Sequence, residues 1–517
     1  MKKKIQRVGK ISAVSILAFA LTIGGISVAG LTGCAAEDAL VSAKETPKDT
    51  STDASTTSGT DKPDGEPPSG EKPDGPPPDG GKPDGEPPSG EKPDGAPGGA
   101  PGGDVSNISW KGATEITDSG KYSKKTYSSS TADENALLIS GNVTPTLNKI
   151  TVNKTGDGES GDSQSFYGTN SGIIAKDGAK VTIKNATVKT SANGANGVFS
   201  YGGSATTNNT SSDGTTVNIS NSKITTTGDG SGGIMTTGGG ITNANNLTVK
   251  TSGRSSAAIR TDRGGGTVKV NKGTYTTTGV GSPTIYSTAN VTVSNAKLTS
   301  KASEGVCIEG TNSITLKNCT LTANNNKKNG NAQYLDSIMI YQSFSGDASG
   351  TGSKFTMKGG KLISKSGHVF HVTNTSATIN LKNVKIKNSD SEKVLLSVVN
   401  DGWSGAENKA TVNATSQKLS GKIIVSNTAS SASDSKSTLD LNLDAKSSFT
   451  GSISDENGSG DALGSVSVKL NGKWKLTSDS YVTDISGKGT IDYNGHTLYV
   501  NGKAYTSGSP GGQIKSK

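Results

Sequence analysis

Two carboxylates and two guanidinium groups offer the chain its clearest chance of chemistry. Asp262 and Glu309 stand at the same offset within two repeats of one short pattern, and Arg260 and Arg263 flank the first of them. If the repeats are stacked strands about 4.8 Å apart, the two acids lie two rungs and about 10 Å apart at Cα. Their carboxyls then reach the roughly 6.5–9.5 Å gap of an inverting glycosidase, one acid protonating the leaving oxygen while the other activates water. The arginines can hold an anionic sugar, because a guanidinium matches a carboxylate fork. Two solvated acids beside two arginines show the same spacing, so the alternative to a glycan hydrolase or lyase is a plain charged face. Tyr201, Tyr286 and Tyr341 occupy matching strands, with Trp403 nearby, and can stack on sugar rings.

The repeat that places these residues begins at Ile173 and recurs at Val198, Ile234, Ile259, Ile285, Val306, Ile338, Val369 and Val394. Most copies continue into a second alternating run and an Asn, as in Val181-Thr-Ile-Lys-Asn185 and Val291-Thr-Val-Ser-Asn295. The spacing is mostly 21 to 26 residues and 31 to 36 where loops are inserted. Self-similarity at this period means units that bury their apolar face only by stacking. Each unit holds three short runs of period two separated by Gly or Asn, which predicts strands and no helix. The expected fold is all-β: a single-stranded, right-handed parallel β-helix with three sheets. Asn suits the second corner because it tolerates the left-handed conformation. Lys272 and Gly359 replace it in two coils.

Alternation also assigns faces. With the first aliphatic residue of each repeat turned inward, the next faces out: Ile174, Phe199, Met235, Arg260, Tyr286, Cys307, Met339, Phe370 and Leu395. Two residues further on, Tyr201, Asp262, Glu309 and Tyr341 form a second file. Loops at 202–215, 342–354 and 400–409 follow these strands, and 323–337 precedes one. They border either a ligand groove over the first sheet or a cover that folds down on it. Seven residues define the candidate groove: Tyr201, Arg260, Asp262, Arg263, Tyr286, Glu309 and Tyr341, with Asp262 and Glu309 as the catalytic pair if the face is an enzyme. The sequence has no Asn-x-Asp, Asp-Asp, Gly-His-Gly or Arg-x-Lys set of the polygalacturonase kind and no pectate-lyase acid cluster.

No metal site is expected. His371 is placed inward between Ile340 and Leu396, His368 at a corner and His496 in a turn, and no ligand spacing joins them. Asp455-Glu-Asn-Gly-Ser-Gly-Asp461 lacks the distal Glu of a calcium loop and reads as a surface turn. Cys307 points outward while Cys319 falls in a small-residue column, too far apart for a bridge.

Composition fits a solenoid: 29% apolar and 4% aromatic residues cannot fill a thick core, but they can fill a thin inward file. Charge is divided unevenly. Residues 35–104 carry net −10 and residues 105–517 net +14. The basic part favours polyanionic partners such as acidic glycans or cell-wall polymers, with neutral glycans also open. Nucleic acid is disfavoured, because aromatic platforms interleaved with basic residues are few.

The first 34 residues read as a processing signal. Five basic residues precede an apolar run from Ile11 to Ala29, and Leu31-Thr-Gly-Cys34 follows. This resembles the lipobox of bacterial lipoproteins, which implies lipidation of Cys34 by diacylglycerol and attachment to the outer face of the plasma membrane. No other cofactor is implied. Residues 35–104, with Lys-Pro-Asp-Gly at Lys62, Lys72, Lys82 and Lys92, predict a disordered acidic Pro/Gly linker acting as a stalk. Residues 105–150 are expected to cap the solenoid, 151–410 to form its regular coils and 411–517 its looser final coils and second cap.

Coil pattern, stalk and lipobox together resemble the β-helical, adhesin-like surface lipoproteins of Gram-positive bacteria, often described as carbohydrate-binding-like. The resemblance implies a cell-surface role in adhesion or glycan binding, and a monomer is expected. A groove hydrolase or lyase and a passive surface spacer remain the alternatives.

Overall fold

The computed structural model describes residues 108–203, 212–328, 332–343, 347–401, 407–430, 433–505 and 515–516. Cys34, the signal segment, the linker and Trp403 lie outside the described residues.

One coil explains the rest. Strand Lys180–Lys184 turns Val181 and Ile183 inward and Lys180, Thr182 and Lys184 outward, as its alternation requires. A two-residue corner at Asn185 leads to strand Thr187–Thr190, where Val188 is buried. The first-sheet strand of the same coil, Ile173–Ala175, comes before them. Every strand then pairs in parallel with its counterpart in the next coil: Val198 with Ile173, Val217 with Val181 and Ile224 with Val188. The result is a parallel β-helix. A 13-stranded sheet holds the first strands, and a 23-stranded sheet holds the second and third. These two merge because Gly240–Thr251 and Gly266–Thr277 run through the corner without a break.

The corner is where the sequence speaks most directly. Asn185, Asn221, Asn246, Asn295, Asn318 and Asn383 all have φ between 49° and 56°. Lys272 at 61° and Gly359 at 65° adopt the same conformation, so the two departures from Asn change the residue and not the geometry. An L-residue pays roughly 1–2 kcal/mol there, and Asn pays least because its amide bonds locally. Here the amides also bond between coils: Asn185 Nδ2 donates to Asn148 Oδ1 at 2.9 Å and Asn246 Nδ2 to Asn221 Oδ1 at 2.8 Å.

One inward file per strand fills the core, with Tyr275, Phe355 and Trp474 among its largest buried side chains. Cys319 is a free, buried thiol in the small-residue column, as its position predicts. After residue 415 the third-strand ladder gives way to a separate five-stranded sheet that includes Lys418–Ser420, Ser448–Thr450 and Lys473–Lys475. Phe449 stacks on Trp474 there, ring centroids 5.6 Å apart. Strands Leu498–Val500 and Lys503–Ala504 form an antiparallel hairpin. Asn501 and Gly502, both at positive φ, supply the turn that such hairpins need.

The register departs from expectation in two coils. Ile338 pairs with Phe370, Met339 with His371, and Phe370 with Leu396. Phe370 therefore points inward, edge-on to Phe355 at 5.8 Å, and His371 points outward. Apolar residues occupy both parities of Val369-Phe-His-Val372, so alternation alone leaves two choices. The inward pair Phe370 and Val372 wins because it keeps the imidazole out of the core. A bulge between Val394 and Leu396 shifts the next coil as well, leaving Leu395 in the core cluster.

Candidate functional site

The outward face of the first sheet is closed. Tyr201, Arg260, Asp262, Tyr286, Glu309 and Tyr341 are each at most 4% exposed, and the Arg263 side chain is 14% exposed. The expected groove is instead three buried compartments along one face.

The first is apolar. Ile174, Phe199 and Met235 pack with Leu138, Phe166, Tyr167 and Tyr201 in a cluster separate from the inward core. Phe166 and Tyr167 come from an inserted segment that carries the short helix α1 (Asp162–Phe166). Trp110 stacks on Tyr201 at 5.5 Å, and its indole Nε1 donates to the Tyr167 carbonyl at 2.7 Å.

The second is ionic. Arg260 Nη2 lies 3.1 Å from Asp262 Oδ2, and both side chains are buried. Arg263 pairs with Asp347 at 3.1 Å and lies over the Phe166 ring at 4.0 Å, so it ties the 342–352 insertion to α1. Glu309 accepts from the Tyr286 hydroxyl at 2.7 Å and from Ser343 N at 3.2 Å, with the Ser343 hydroxyl also bonded. Burial pushes the Glu309 carboxyl up, against the pull of the Ser343 and Tyr286 hydrogen bonds. The two acids proposed as a glycosidase pair are thus both buried and both bonded to protein groups.

The third compartment was not anticipated. Glu304, Asp336 and His368 stand in one column of successive coils, because Val306 pairs with Ile338 and Asp336 with His368. Beside them, Ser397 Oγ lies 2.7 Å from His368 Nδ1 and 2.8 Å from His371 Nδ1, and His371 Nε2 lies 3.4 Å from Asp401 Oδ2. Tyr334 covers both imidazoles, at 5.3 and 5.1 Å, with its hydroxyl bonded to Glu456. Burial, then the charges of Glu304 and Asp401, raises the Asp336 carboxyl well above its usual range. Burial raises Glu304 as well and lowers His368 to about 4. Ser397, His371 and Asp401 resemble a nucleophile, base and orienting acid. All three are at most 1% exposed, so the arrangement presents no nucleophile to solvent. One signal in the sequence marks this cluster: Glu304, Asp336 and His368 share an offset once Phe370 is taken as the inward residue.

The second sheet behaves in the opposite way. Most of its outward residues remain half-buried or exposed, Thr356 being buried, and they enclose a shallow concavity of about 680 Å³, lined by Thr182, Lys184, Asn218, Asn243, Lys269 and Thr292 among others. Amide ladders run through it. Asn243 Nδ2 donates to Asn218 Oδ1 at 2.9 Å, Asn271 to Asn245 at 3.0 Å and Asn295 to Asn271 at 3.0 Å. These bonds hold the amides in fixed orientation, with their remaining donors and acceptors turned to solvent.

Among the described residues no group of three His, Cys, Asp or Glu side chains is placed to hold a metal ion. Asp455 is occupied by the Asn457, Ser459 and Ala462 amides and the Ser459 hydroxyl, the pattern of a turn. In comparisons with protein families, curated proteins and solved structures, nothing matches the chain.

Proposed function

We propose that this chain is a lipid-anchored protein of the bacterial cell surface whose β-helix binds glycans or wall polymers through the outward face of its second sheet. The observation that carries the reading is the open concavity of about 680 Å³ on that face, bordered by Asn, Thr and Lys side chains, set against the closed face of the first sheet. Carbohydrate recognition needs fixed polar groups at a concave surface. The inter-coil amide bonds fix Asn218, Asn243 and Asn271 before any ligand arrives, which lowers the ordering cost of binding. The ordered basic, apolar and Leu-Thr-Gly-Cys34 signal supports anchoring by diacylglycerol at Cys34.

A glycan array probed with the full chain and with the Asn218→Ala/Asn243→Ala/Lys269→Ala variant tests the binding face. The variant is expected to lose the glycans that the parent binds; an unchanged profile overturns the assignment. Replacing Cys34 by Ala is expected to abolish fatty-acid labelling in a bacterial host, and persistent labelling removes the anchor.

A further inference from the structure

Further along the same face the chemistry changes from amide to ammonium. Lys317 pairs in register with Lys358, and Lys358 with Lys382, so three like charges occupy adjacent rungs. Across the left-handed corner Lys361 pairs with Lys385 in the same way. All five are exposed. The ion pairs among the described residues involve none of them. The equivalent column three coils earlier holds Asn245, Asn271 and Ser294, which are neutral.

Like charges directly opposite each other destabilise a sheet. Rungs about 4.8 Å apart sit inside the Debye length of about 8 Å at physiological salt, so solvent ions do not remove the repulsion. Protecting a sheet edge does not explain the ladder either. Strand Ser353–Lys358 is paired on both sides, with Ser313–Lys317 and with Ser376–Lys382, and so has no free edge. The stacked lysines cost stability without serving the fold.

We propose that this ladder binds an acidic polysaccharide with a carboxylate on successive sugars, its chain running along the stacking direction. One pyranose unit is about as long as the rung spacing of about 4.8 Å, so three rungs span about three sugars; their carboxylates turn successively around the chain, and the lysine stems reach those on the near side. Lysine is a point charge on a flexible stem and accepts a carboxylate from a range of directions, which suits a repeating ligand. Thr315, Thr356 and Asn380 form the neighbouring column, two residues back along each strand, with Asn380 Nδ2 bonded to Thr356 Oγ1 at 3.2 Å. Thr315 and Asn380, both half-buried, supply a hydroxyl and an amide for the sugar ring, while Thr356 is buried and holds the Asn380 amide in place. This inference rests on the surface-binding reading above and names its ligand.

The test measures binding of the full chain to labelled polygalacturonate, to its fully methyl-esterified form and to inorganic polyphosphate. The parent is expected to bind polygalacturonate in a salt-sensitive way and to ignore the ester. The variant Lys317→Ser/Lys358→Ser/Lys382→Ser is expected to bind about tenfold or more weakly, since each lost contact charge forfeits released counterions. The control Lys473→Ser/Lys475→Ser, two exposed lysines on the separate five-stranded sheet, should stay within about twofold, being outside both the ladder and the concavity. Equal binding by the triple variant and the parent overturns the proposal. Equal binding of the ester and the acid, or of polyphosphate and polygalacturonate, does so too. Capture of neutral glycans with no polygalacturonate binding removes the ladder and leaves the adhesive reading standing. Polygalacturonate binding that depends on the three lysines, with unchanged binding by the Asn218/Asn243/Lys269 variant, keeps the ladder and removes the concavity.

Discussion

The outward faces of the first and second sheets are made by the same coils, yet one is a second core and the other a solvated surface. The difference lies at the corners. The corner between second and third strands is two residues long, for example Asn185-Ala186, Asn295-Ala296 and Gly359-Gly360, and has no room for an insertion. Among the described residues, inserted chain enters beside the first sheet, at the α1 segment, at 333–335 and at 347–352, and it folds onto that sheet's outward face. Phe199 is consequently as buried as Ile183, although the two point to opposite sides of the coil wall. Face direction and burial are separate properties in a solenoid.

The comparison is sharpest where a side chain is large. Replacing Phe199 by Ala should cost about 3–5 kcal/mol, the loss for a core aromatic, read as a shift in the denaturant midpoint. A loss below about 1 kcal/mol, typical of an exposed position, would return the first sheet's face to solvent. Arg263→Ala should cost about 3 kcal/mol, because it takes the guanidinium from the buried Asp347 carboxylate. It should also expose sites near α1 to limited proteolysis, since Arg263 bridges both insertions.

Acidity sets the third compartment apart from the second sheet. Glu304 and Asp336 keep their protons longer in the folded chain than in the unfolded one. Their contribution to stability is fully present below the ordinary carboxylate value, about 4, and is lost as pH rises through the raised values. His368, lowered to about 4, has the opposite sign: its contribution is present above 6.5 and fades as pH falls toward the folded value. Glu304→Gln with Asp336→Asn should therefore raise stability at neutral and alkaline pH while leaving the acid limb in place. Denaturation profiles of parent and variant that run parallel from pH 5 to pH 9 would contradict this account.

Effects on the open face should be smaller. Asn295→Ala strains a left-handed corner and should cost about 1 kcal/mol, with Asn295→Gly nearly neutral. Asn243→Ala should fall within about 0.5 kcal/mol, as for other surface substitutions. A larger loss at Asn243 would mean that the amide ladder holds the fold together and is not spare binding capacity.

Much of the architecture was legible residue by residue. Val181 and Ile183 announced their inward file by alternation, and Asn185 its corner by backbone preference. Cys319 sat in its small column as expected. The candidate site was less legible. Tyr286, Arg260, Asp262 and Glu309 were placed correctly on the outward side, but their cover comes from chain 30 or more residues away. His371 was misassigned because Val369 and Phe370 are both apolar and either parity fits. The column Glu304, Asp336 and His368 escaped notice because inserted loops stretch the spacing between copies to 32 and 31 residues there.

By itself the sequence determined the coil: its strands, its left-handed corners and the direction each side chain leaves the wall. These are short-range matters, settled by steric limits on φ and by the two-residue period of a strand. The tertiary structure alone decided which outward columns see water, which acids are buried together and which lysines stand on adjacent rungs. Such outcomes depend on inter-coil register and on where insertions come to rest, and both are fixed by packing between residues distant in the chain.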